Sequence, residues 1–217
     1  MLSSIGAVLA AILVASSVGN EYNWRTIRIA LISSESRLKF LGAKLISLVI
    51  FILIGMLIGV ATGFVMGLIT TAIGGNSFDF SFATGGYFWD QFVQFWRTFF
   101  VLLPFISLGA LFALVGRSAT PGIGLGIGIL FLEPIITSFM DLAENWVNQI
   151  PKYLFNANVD AINALSGLPL PSGGFGEGFG RAATQATAAH AFAVLSVYIV
   201  VFIGMSFYLF RKRDVTG

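Results

Sequence analysis

Long apolar runs separated by short polar stretches set the pattern of the chain. Five of them reach or approach the roughly 20 residues that a helix needs to cross a bilayer, at 2–18, 45–73, 99–115, 123–140 and 188–210. The first and third hold only 17 residues each. They draw on flanking positions such as Gly19 and Trp96, which sets the third and fourth spans at about 97–115 and 121–140. The second run is too long to stand upright: its 29 residues give about 44 Å of helix, so it tilts or protrudes. The pattern predicts one all-α transmembrane domain over residues 1–217, an integral membrane helical bundle of five spans.

Three polar stretches interrupt the spans. Residues 74–96 read as a short connection rich in Gly, Phe and Trp, suited to the interfacial belt. Residues 141–187 are longer, with Trp146, Tyr153 and Phe155 set among Asn and Asp. That mixture predicts short amphipathic or re-entrant helices up to Leu165, followed by a linker through the glycine run at 173–180. The remaining stretch, 20–44, carries most of the charge.

Composition fixes the class. Hydrophobic residues make up 57% of the chain and charged ones 10%, against about 25% charged in a soluble domain. With a mean hydropathy of +0.90, a water-soluble globule is excluded. The absence of Cys removes thiolate metal sites and thiol nucleophiles, and a single His, His190, reads as a packed or interfacial residue. The net charge of +2 comes from basic residues spread along the chain, which form no nucleic-acid face.

The placement of those charges gives an orientation. Arg25, Arg28, Arg37, Lys39, Lys44, Arg117, Arg211, Lys212 and Arg213 share one side, whereas only Arg97, Lys152 and Arg181 fall on the other. The positive-inside rule makes the first side cytoplasmic and the first residue external, in a multi-pass protein of the cytoplasmic membrane. A signal peptide over the first run is disfavoured, because no Lys or Arg precedes it and cleavage would export the basic segment.

Small residues mark helix contacts. Gly55, Gly59, Gly63 and Gly67 recur every fourth residue, a stripe that predicts packing against another helix of the same chain in preference to a subunit interface. Gly122, Gly124, Gly126 and Gly128 alternate, spreading small residues over more than one face of the fourth span. Pro104 and Pro134 lie inside spans and mark bends.

Catalytic signatures are missing. The sequence has no G-x-x-x-x-G-K-[ST], no nucleophile elbow and no H-E-x-x-H, so the chain reads as a non-enzymatic subunit without a cofactor or metal of its own. Glu133 stands out because hydropathy places it within a span, where an ionised carboxylate would cost about 2.5–3.5 kcal/mol. Two readings have equal weight: a polar group on a translocation path, or a structural hydrogen bond to a neighbouring helix or a carbonyl freed by Pro134. The segment 20–44 is the other candidate, with Trp24, Ile27 and Leu31 on one face of an imperfectly amphipathic helix along the inner membrane surface.

Glu21-Tyr22-Asn23-Trp24-Arg25-Thr26, followed by Ile27-Arg28, Ser36-Arg37 and Ala43-Lys44, resembles the stretch after the second span of ABC-2 type transporter permeases. The ending Arg211-Lys212-Arg213-Asp214 is similar to that family's finish after its last span, and the long outer segment before the final span also matches. Arg25 stands where the family has Gly, and five spans stand where it has six. The resemblance implies a permease subunit of an ATP-driven exporter with a second permease subunit beside it, as a homodimer or heterodimer. ATP and Mg would belong to a separate ATP-binding cassette subunit. Glu21, Trp24, Arg25, Thr26, Ile27, Arg28, Arg37 and Lys44 would then form the coupling helix that meets that partner. The alternative is a non-transporting structural subunit of a larger membrane complex, filling helix interfaces through its glycines.

Overall fold

A computed structural model describes residues 2–23, 36–75, 81, 83–141, 150–165 and 187–212. Five long helices carry the fold: α1 Leu2–Asn23, α2 Arg37–Ile73, α3 Gly85–Gly116, α4 Ala119–Asp141 and, after the short helix α5 Phe155–Ala164, the final α6 Ala188–Lys212. A single 3-10 turn, Pro151–Tyr153, precedes α5. The all-α architecture expected for a multi-pass membrane protein is present, with four helices long and apolar enough to cross a bilayer and α1 as a shorter apolar helix beside them.

Two helix starts differ from the expectation. α3 begins at Gly85, so the connection expected over 74–96 contracts to 74–84 and residues 85–96 are helical. Gln91 and Gln94 lower the hydropathy there while being good helix formers, and Thr84 caps the start by accepting from the Tyr87 N–H at 3.3 Å. α2 likewise starts at Arg37, where Ser36 Oγ accepts from the Lys39 N–H at 3.2 Å. At 37 residues it measures about 55 Å, so the sequence underestimated the longest helix. The short helix expected before Leu165 is present as α5.

The core forms around α1, which packs against α3 and α4, while α3 also packs against α4 and α6. What allows this is a stripe of small residues in α1: Ala7, Ala11 and Ala15 are buried at every fourth position, and Gly19 continues the row. A Cβ added at Gly122 of α4 would lie 2.7 Å from the Ala15 Cβ and 2.7 Å from the Gly109 carbonyl oxygen of α3. One added at Gly126 would lie 2.8 Å from the Ala11 Cβ, and one at Gly19 would lie 2.1 Å from the Ala119 backbone nitrogen. Three backbones therefore meet where only hydrogen fits. The alternating glycines of α4 resolve into a seam, Gly122 and Gly126, and two positions off it: a Cβ at Gly124 would meet nothing within 4 Å, and one at Gly128 only Leu132 of its own helix.

The packing expected at Gly55, Gly59, Gly63 and Gly67 is not made among the described residues. A Cβ at any of the four would meet nothing within 4 Å, and Ile54, Leu57, Ile58, Phe64 and Met66 around them are exposed. α2 contacts the bundle through its first half, where Leu41, Leu48 and Ile52 are buried and a Cβ added at Gly42 would lie 3.8 Å from the Phe207 ring of α6. A four-residue repeat specifies a smooth face but not its partner; within this chain the α1 stripe meets the α4 seam, and the α2 stripe faces away from the fold.

Candidate functional site at the two ends of the bundle

At one end, α1 and α2 are joined by charge. Glu21 lies in the last turn of α1 and Lys44 lies in the second turn of α2; Lys44 Nζ donates to Glu21 Oε1 in a partly buried ion pair. The pair closes the connection between the two helices at its base. Two residues named as coupling positions, Glu21 and Lys44, are thus brought together, and Arg37 is the first residue of α2. Trp24, Arg25, Thr26, Ile27 and Arg28 lie outside the described residues. Arg117 lies at the foot of α3, where it ends the helix in the left-handed region at φ 50°. Its N–H and that of Ser118 both turn back to the Ala113 carbonyl. A non-glycine residue there costs about 1 kcal/mol, so Arg117→Gly should hold or slightly raise the melting temperature of the purified protein. A clear fall would show that the arginine side chain contributes more than its backbone costs.

At the opposite end, about 21 Å along α4 from Ala119, Glu133 is buried at 8% exposure. Its carboxylate points at the start of α5 and accepts from the Asn156 N–H at 2.5 Å. Leu154, the residue at the N-cap position of α5, offers no side-chain cap, so an acid from another helix satisfies one of the orphan N–H groups. An acceptor there contributes about 1 kcal/mol. Asn156 returns the contact, its side-chain nitrogen donating to the Ile129 carbonyl of α4 at 2.8 Å. Of the two readings of Glu133, the structure contains the hydrogen bond to a neighbouring helix.

The other end of α5 has a matching partner. Arg97 of α3 donates through Nη1 to the carbonyl of Leu165, the C-cap residue, at 3.1 Å. A cation therefore sits at the C-terminal end of the helix and a carboxyl acceptor at its N-terminal end, each supplied by a different long helix. α6 adds a third tie, Tyr198 Oη donating to the Tyr153 carbonyl at 3.1 Å. Apolar contacts fill the space beneath: the Phe155 ring lies 4.6 Å from Phe105 and 5.6 Å from Tyr198, centre to centre. Asn158, fully buried, links the 3-10 turn to α5 by donating to the carbonyls of Lys152 at 2.9 Å and Leu154 at 2.6 Å.

This interface also has unpaired polar atoms. Asn158 Oδ1 and both ring nitrogens of His190 are buried and find no hydrogen-bond partner among the described residues. The His190 ring lies 5.2 Å from that of Tyr153, so it belongs to the same contact region. Each such group costs about 1–3 kcal/mol relative to its hydrated state. His190 is half-buried, with its ring against that of Tyr153. Among the described residues no cluster of three His, Asp or Glu side chains could hold a metal ion.

Sequence reasoning picked out Glu133 and missed Arg97 and Asn156. An absent cap was a usable signal, since neither Leu154 nor its neighbours supply a Ser, Thr or Asp at the start of α5. It did not say which residue would fill the role.

A family model described as "Protein of unknown function (DUF2705)" matches residues 1–216. The chain is similar to "Uncharacterized protein YhcI" of Bacillus subtilis (strain 168), with 26% identity over 214 residues, or 95% of this chain. It spans 63% of that relative's length. No solved structure matches it.

Proposed function

We propose a transport role for this chain, which belongs to the DUF2705 family: the membrane-spanning permease subunit of an ATP-binding cassette transporter of the cytoplasmic membrane, working as an exporter. The observation that supports this most is the Glu21–Lys44 ion pair. It ties the last turn of α1 to the start of α2, the two helices on either side of the basic segment, and a fixed attachment of that kind is what a coupling segment between the spans and a soluble partner requires. In this reading the partner binds ATP and Mg and supplies the catalysis. Closure of the partner then moves the segment, and the helices shift between two arrangements of similar free energy. A second permease subunit completes the path.

A second reading, a non-transporting structural subunit of a larger complex, draws on the open glycine face of α2. Partner capture and ATPase coupling separate the two. Trp24→Ala and Ile27→Ala should loosen a buried contact, and Arg28→Glu or Arg37→Glu should cost more where the contact is desolvated. The expected result is a correctly inserted chain that loses its ATP-binding partner on co-purification, or keeps it while hydrolysis runs without transport. Unchanged binding and unchanged coupling in all four variants would remove the coupling role. Orientation is tested separately in this cysteine-free chain. Ser33→Cys should react with an impermeant maleimide only from the cytosolic side, and reaction from outside would overturn the topology.

A further inference from the structure

We infer that α5 is a detachable lid, docked as one rigid unit over the end of the bundle and latched jointly by Glu133 at its N-terminus and Arg97 at its C-terminus.

The latch is unusual in where its parts come from. Helices are ordinarily capped by residues adjacent in sequence. Here the N-terminal acceptor comes from α4 and the C-terminal cation from α3, 23 and 68 residues away in sequence from the groups they bind. Capping α5 and docking α5 are therefore the same event: the helix cannot leave the bundle and keep either cap. Asn156 and Tyr198 strengthen the coupling, since the contacts to the Ile129 carbonyl and from Tyr198 to the Tyr153 carbonyl also exist only in the docked arrangement.

Against these stand the groups that docking leaves unpaired. Asn158 Oδ1 and the two His190 nitrogens regain partners from water when the lid lifts. The docked state is accordingly a balance between opposed contributions, which is what a segment that opens at low cost requires. A helix of only ten residues has little stability alone, so it lifts as a unit or unwinds once released.

The test reads the opening of α5 by cysteine labelling of the full-length purified protein, and does not depend on any transport activity. Ala157 and Ala161 are buried at 5% and 6% exposure, one near each latch, and each is changed to Cys in turn. In the otherwise unchanged chain both react slowly with maleimide. Glu133→Ala should speed labelling about three- to tenfold at both positions, and Arg97→Gln should do the same at both. Glu133→Gln keeps an acceptor without the charge and should fall between. Combining the changes at 133 and 97 should multiply the two factors, since each lowers the same opening free energy. Local fraying gives a different pattern, with Glu133→Ala exposing only position 157 and Arg97→Gln only position 161, and would overturn the rigid lid. Rates unmoved by any variant would overturn the latch. Circular dichroism and elution volume identify a variant that fails to fold, and Glu133→Gln, the mildest change, then decides the Glu133 end.

Discussion

Gly19→Ala and Gly122→Ala are expected to disrupt the bundle, whereas Gly59→Ala and Gly63→Ala leave its stability intact. All four substitutions add one methyl group inside a helix, and on propensity alone each would gain about 1 kcal/mol. The surroundings decide the sign. At Gly19 the new carbon would lie 2.1 Å from a backbone nitrogen and 2.5 Å from two backbone carbons at the start of α4. At Gly122 it would lie 2.7 Å from a backbone oxygen of α3 and 2.7 Å from the Ala15 methyl. Neither contact ends on a side chain that can rotate away. The helices must separate, at about 1–3 kcal/mol or more for each variant. At Gly59 and Gly63 nothing lies within 4 Å, so the methyl is accommodated freely. Melting temperatures in detergent give the comparison: equal values for Gly122→Ala and Gly59→Ala would mean that α1, α3 and α4 do not meet as closely as the structure has them.

That contrast also shows what the sequence could and could not specify. Helical class and the short helix before Leu165 followed from hydropathy and length, because burial in a bilayer imposes a strong local requirement on every residue. Partner choice did not follow. The regular Gly55 to Gly67 row was the conspicuous signal, yet the row that packs is Ala7, Ala11, Ala15 and Gly19, whose alanines are less visible among apolar neighbours. Small-residue spacing describes one surface, and a contact needs two. Glu133 was legible as anomalous for the reverse reason: an acid in an apolar run must have a partner, and the backbone N–H of Asn156 provides it. Arg97 entered the sequence reading only as one of the few basic residues on the outer side, and its bond to Leu165 spans 68 positions, which no local pattern encodes. At the basic end, the resemblance marked Glu21 and Lys44 as members of one segment, but their attraction to each other emerged only when α1 and α2 were placed.

Reversing either charge of that pair should impair the protein, and reversing both should restore it. Glu21→Lys would set two cations together, and Lys44→Glu two acids, in a place where the side chains are only 23% and 15% exposed. Loss of a partner in such a half-buried pair lies between the surface and fully buried cases, at about 1–3 kcal/mol. The consequence is larger than that number suggests, because α2 otherwise meets the bundle mainly through α6. Freed at its foot, α2 is no longer tied to the end of α1. The expected single-variant result is a lower melting temperature and, under the proposed transport role, about a five- to hundredfold weaker retention of the proposed ATP-binding partner on co-purification. The exchange Glu21→Lys with Lys44→Glu keeps the net charge of the segment, so the positive-inside preference is unchanged and any recovery reports the pair itself. Recovery of both melting temperature and partner retention supports the staple and its role in docking. Recovery of stability alone confines the pair to holding α1 and α2 together, and leaves partner binding to depend on the charge of Glu21 or Lys44 individually. Failure of the exchange to recover either property would mean that the two side chains do not act on each other.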